Sequence, residues 1–72
     1  MAGEVHTVPL GEGWANQRSG DPRILSMHRT HAEAVFVGRE VARREHVDHV
    51  IHGREGIIRE RLSYAGPALA TA

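Results

Sequence analysis

Six histidines and no cysteine in 72 residues set the chemistry this chain could attempt. His46, His49 and His52 recur at a spacing of three, which on a helix would bring neighbouring imidazoles together as metal ligands. Here they straddle a helix end and a strand, where positions 49 and 52 point to opposite faces. No cysteine or carboxylate set completes a shell, so scattered surface histidines are expected rather than a metal centre. His28 and His31, flanking a helix start, read the same way. Ser26, His28 and Asp21 supply the residue types of a nucleophile, a base and an orienting acid, but no Gly-x-Ser-x-Gly elbow accompanies them. Gly11-Glu12-Gly13 lacks the glycine spacing and the following helix of a phosphate cradle. Glu60, between Arg59 and Arg61, reads as an ion-pair partner. No catalytic residue, metal ligand or cofactor is expected, and the chain reads as a non-enzyme.

The arginines carry the second chemistry. All nine basic residues are arginine, balanced by nine acidic ones. A planar guanidinium suits bidentate contact with phosphate or carboxylate, yet a nucleic-acid binder normally shows a basic excess. Arg59 and Arg61 are expected on one strand face with Arg54 in the adjoining turn. Arg18, Arg23 and Arg29 are candidates for the sheet face opposite a helix, the face that small sheet-inserting DNA-binding domains use. Sheet-mediated DNA binding through these six arginines is therefore the alternative function. An ordinary solvated face with ion pairs to Glu55 or Glu60 is the simpler account.

These residues need elements to hold them. Glu4 to Leu10 reads as a short strand in which Pro9 suits either an edge strand or a strand end, and Gly11-Glu12-Gly13 reads as a turn. Trp14 to Arg18 follows as a strand, with Trp14 and Asn16 on one face and Ala15 and Gln17 on the other. Trp14 is either a core anchor or an exposed sheet aromatic, and burial is favoured in so small a domain. Ser19-Gly20-Asp21-Pro22 turns the chain into a third strand, Ile24 to Arg29. Thr30 and Glu33 then form a capping box. From His31 to about Glu45, Ala34, Val35, Gly38, Val41 and Ala42 fall within one arc at helical spacing. Small residues at 34, 38 and 42 would let this helix approach the sheet closely, a reason to tolerate Gly38 despite its poor propensity. Phe36 projects away from that arc, with Val37 at its flank. Val47 to His52 and Ile57 to Tyr64 read as two more strands around the turn Gly53-Arg54-Glu55-Gly56. The predicted order is β-β-β-α-β-β: an α+β fold, one antiparallel sheet with one helix packed on one face. Residues 1–72 form a single domain, ordered over about 4–64, with a flexible tail at 65–72.

Several stretches are familiar as a set. They are Val8, Pro9, Gly13 and Trp14 in V-P-x-G-x-G-W, Thr30, Glu33 and Ala34 at the helix start, and the run Arg39 to Glu45. The most distinctive is V-I-H-G-R-E-G-x-I-R-E-R-x-S-Y, from Val50 to Tyr64. Together they resemble the bacterial domain-of-unknown-function family numbered 2188, from about Val5 to Tyr64. The resemblance implies a small stand-alone bacterial protein with no established activity. Phe36, Ile57 and Leu62 depart from that family's pattern, standing where polar or charged residues are usual.

A chain this short hides only about 60% of its unfolded surface, which leaves a lone copy marginal. Zero formal charge at neutral pH also favours association. The exposed apolar surplus at Phe36, Val37, Ile57, Leu62 and Tyr64 is the candidate interface. The fifth strand is a candidate edge for pairing across a two-fold axis. The expectation is a homodimeric protein-interaction or accessory regulatory module. The opening MAGEVHTVPLG has no basic-then-apolar signal pattern, and no apolar run reaches about 20 residues, so a cytoplasmic protein without a membrane span is expected.

Overall fold

The hydrophobic alternation and turn chemistry resolve into five strands and one helix in the computed structural model, which describes residues 3–65. The strands are β1 (Val5–Leu10), β2 (Gly13–Arg18), β3 (Ile24–His28), β4 (Asp48–His52) and β5 (Ile58–Ser63), with α1 (His31–Glu45) between β3 and β4. The order of elements is the one the sequence predicts. The expected tail beyond residue 65 lies outside the described residues.

The sheet is mixed rather than purely antiparallel. Its order is β3-β2-β1-β4-β5, and β1 and β4 run parallel, with Val5 beside His49 and Thr7 beside Ile51. The helix is the cause. Three strands joined by tight turns alternate in direction, and α1 then carries the chain back across the sheet. β4 therefore starts from the end where β1 starts, as a crossover connection requires. The other neighbours are antiparallel, and the sheet ends at β3 on one side and β5 on the other.

Thr30 caps α1 as expected, its hydroxyl accepting from the Glu33 amide at 3.1 Å. Ala34, Gly38 and Ala42 are buried, and Phe36 is 56% exposed. The helix ends at His46, whose φ of 59° lies in the left-handed region usually given to glycine. His46 is thus an exposed cap residue. α1 lies over β1, β2, β3 and β4 and does not reach β5, whose residues are nearly all exposed.

A bulge reshapes β5. His52 pairs with Ile58 while Ile51 pairs with Glu60, leaving Arg59 as the extra residue. This overturns the expected common face of Arg59 and Arg61. Arg61 stays on the sheet face away from α1, where it meets Glu4 and Asp48. Arg59 instead lines a cleft on the helix side with Trp14, His31, Ile51 and Glu60. The bulge also moves Ile58 to the face of His52, where the side chain is 52% exposed.

Candidate functional site

The sheet face under the helix is built on polar side chains. Cross-strand register sets Thr7 beside Asn16, and Asn16 beside Ser26. Thr7, Asn16 and His49 are completely buried. Each hydrogen has one place to go. The Asn16 amide donates to the Ala34 carbonyl at 2.9 Å and to Ser26 Oγ at 3.1 Å, so its oxygen must accept. The Thr7 hydroxyl supplies that hydrogen at 2.6 Å. Thr7 Oγ1 therefore accepts from His49 Nε2, 2.7 Å away. At the other end Ser26 Oγ lies 2.9 Å from His28 Nε2. A one-way chain of hydrogen bonds thus runs from His49 on β4, through Thr7 on β1 and Asn16 on β2, to Ser26 on β3, whose hydroxyl also meets His28.

Two consequences follow locally. With its hydrogen on Nε2, His49 has a bare Nδ1 that is buried and unbonded. Burial, reinforced by the positive potential of Arg39 and then His6, pushes this imidazole down to about 4. Gly38 sits directly above the chain. A Cβ there would fall 2.5 Å from Asn16 Oδ1, 2.7 Å from His49 Nε2 and 2.9 Å from Thr7 Oγ1. The close approach inferred for Gly38 is real, and what it accommodates is a polar seam.

The histidines of the spaced trio point three ways. His46 caps the helix, His49 is buried beneath it, and His52 lies on the opposite sheet face. His49 is thereby corrected from a surface position to the core. Among the described residues, no three His, Asp or Glu side chains converge as metal ligands. Ser26 and His28 do meet, but Asp21 is away from them and bonded to Arg23. That contact holds the Asp21 carboxyl down to about 2.

The arginines proposed for nucleic acid are dispersed. Arg18, expected opposite the helix, is on the helix side and pairs with Glu45 on α1. Arg23 is held by Asp21. Arg61 bonds Glu4 at 2.6 Å and Asp48 at 3.1 Å, not Glu55 or Glu60. Arg29 follows β3 and is exposed. Arg54 is committed to structure. Its guanidinium lies 4.4 Å over the Trp14 ring and donates to the carbonyls of Gly11, Glu12 and Gly13 at 3.2 to 3.3 Å. It fastens the β4–β5 turn to the β1–β2 turn and closes over Trp14, which is 7% exposed.

Arg54→Ala should therefore cost about 1–2 kcal/mol, from the cation–π contact and charge-assisted bonds at a partly exposed site. Arg54→Lys should recover less than half, because an ammonium cannot reach three carbonyls from above a ring. Trp14 is the only tryptophan, so its fluorescence in urea titrations reads the contact directly. Unchanged emission and midpoint in Arg54→Ala would refute this role.

The candidate interface residues divide between two surfaces. Phe36 and Val37 line a groove of about 520 Å³ with His28, Ala32 and Glu33 on the β3 side of the helix. Ile57, 65% exposed, precedes β5, and Leu62 and Tyr64 lie half-buried along it and just after it. Leu62 pairs with His49, so it faces the helix side at a position the helix does not cover. A family model described as an uncharacterized protein conserved in bacteria, DUF2188, matches residues 5–64. The chain belongs to this family. No curated protein and no solved structure matches this DUF2188 member. No helix among its described residues is long and apolar enough to cross a membrane.

Proposed function

We propose that this DUF2188 protein is a non-enzymatic interaction module of the bacterial cytoplasm that acts as a homodimer joined edge to edge through β5. The observation that carries this is the uncovered state of β5. It is an edge strand, exposed along nearly all its length, and the helix that shields the other four strands does not reach it. Such an edge is a template for another strand.

Like-charge repulsion narrows the register, and the axis proposed is the one through Leu62. A two-fold axis perpendicular to the sheet pairs residues of the same face. Axes through Arg59, Glu60 or Arg61 would set like charges opposite each other, which disfavours pairing. An axis through Leu62 sets Leu62 against its twin, Arg61 against Ser63, and Glu60 against Tyr64. No like-charge pair remains, and the two leucines fill the space beside the helices. Phe36 and Val37 lie outside this interface, as does Ile57, beyond the paired stretch.

The absence of cysteine makes the test clean. Leu62→Cys should cross-link to a covalent dimer under mild oxidation, since directly opposed residues bring their Cβ atoms within reach of a disulfide. Met27→Cys, at the far edge strand, should not. Leu62→Asp should convert a dimer into a monomer in light scattering. A wild-type protein that is monodisperse and monomeric at micromolar concentration would overturn the proposal.

A further inference from the structure

On the sheet face away from α1, two histidines meet ring to ring. His6 Nδ1 lies 2.9 Å from His52 Nε2, with ring centroids 5.1 Å apart. The outer nitrogens are also occupied. His6 Nε2 faces Glu4 Oε1 at 3.0 Å, and His52 Nδ1 faces the Gly56 carbonyl at 3.0 Å. Gly56 belongs to the β4–β5 turn, so the row Glu4–His6–His52–Gly56 ties the start of β1 to the hairpin that presents β5.

Counting hydrogens shows what the row requires. The Gly56 carbonyl can only accept, so His52 Nδ1 carries a hydrogen. A carboxylate can only accept, so His6 Nε2 carries another. The short contact between the rings holds one more. Three hydrogens on four ring nitrogens amount to one imidazolium shared by the pair. With two hydrogens one of the three bonds is missing. With four, two N–H groups confront each other.

We propose that Glu4, His6, His52 and the Gly56 carbonyl form a one-proton clasp, a pH-sensitive catch that holds the β4–β5 turn when the histidine pair carries a single positive charge and loosens it when a second proton arrives. The surroundings fit that charge. Arg61 from β5 bonds the other oxygen of Glu4 and also Asp48 of β4. Two carboxylates, one guanidinium and one shared imidazolium make the cluster neutral. The neighbours in register are uncharged: Gln17 on β2 and Val50 on β4 beside His6, and Ile58 on β5 beside His52. Arg18 and Asp21, across the shallow dish next to His6, are held by Glu45 and Arg23. Glu4 itself is kept anionic, its carboxyl lowered chiefly by Arg61 and then by His6.

The clasp is tested on the unmodified protein by nitrogen-15 NMR of the histidine rings. Across a pH titration there should be a stage at which His6 carries hydrogen on both nitrogens while His52 carries it on Nδ1 alone. Two singly protonated rings that pass directly to two doubly protonated ones would overturn the proposal. Acidification should speed amide exchange at Gly53 and Gly56, the turn amides bonded to Ile57 and Gly53 carbonyls, by about fivefold beyond the intrinsic change, the worth of one hydrogen bond. In His52→Asn, whose amide can still donate to Gly56 but does not titrate, that acceleration should vanish. If it persists, the turn does not sense the pair. Glu4→Gln gives an independent arm. Its amide can donate to a bare Nε2, so His6 should become singly protonated on Nδ1; a ring that stays doubly protonated would also count against the clasp. None of these readouts depends on dimerisation.

Discussion

Gly38→Ala should destabilise the chain by about 2–4 kcal/mol, although alanine is the better helix former by about 1 kcal/mol. The added methyl group would sit within 3 Å of three polar atoms that have no freedom to yield. Asn16 is tied to the Ala34 carbonyl and Ser26, and Thr7 is tied to Asn16. Either the helix lifts, at the overpacking cost of about 1–3 kcal/mol, or a seam bond breaks and leaves a buried polar atom unpaired at a similar cost. A domain of this size holds only about 4–10 kcal/mol in total. Urea unfolding followed by Trp14 fluorescence should show the midpoint fall. A stability gain of the size expected from helix propensity would mean the seam is loose.

The second large effect concerns acid. His49 takes up a proton near 6.5 when unfolded but only at about 4 when folded. Between those values the unfolded state binds the extra proton. Stability is fully present above about pH 6.5 and falls as pH drops toward about 4, by roughly 3 kcal/mol in all. His49→Leu, close in volume, should remove this slope. It should also be no less stable at neutral pH, because Thr7 can still donate to Asn16 and the unbonded Nδ1 is gone. Urea midpoints at about pH 7 and about pH 5 for both proteins check this. A wild type equally stable at both would refute the burial of a neutral His49.

Part of this architecture was legible in the sequence. The helix was, because Thr30, Glu33 and the small apolar arc are local signals, and so were the strands and their turns. Strand order was not. Nothing in residues 46–52 states that β4 will lie beside β1, since pairing between distant strands is decided by where the crossover helix delivers the chain. The β5 bulge was hidden for a related reason. Alternation over Ile58 to Ser63 is the same with or without an extra residue, and only pairing with His52 and Ile51 reveals it. The seam was half visible. Placing Trp14 and Asn16 on one face, with Trp14 favoured for the core, already implied a buried asparagine. Gly38 in the middle of a buried helical arc implied something below it that could not move. What could not be read was that Thr7 and His49, from strands 42 positions apart, supply the rest.

The seam also bears on how the molecule responds to temperature. Unfolding exposes hydrocarbon, which raises heat capacity, and polar groups, which lower it. An interior where Thr7, Asn16 and His49 occupy the space usually given to leucine and phenylalanine releases less of the first and more of the second. Its stability curve should be shallow for its length, with melting and cold denaturation far apart for a given maximum. For a bacterial protein this trades peak strength for tolerance of a wide thermal range.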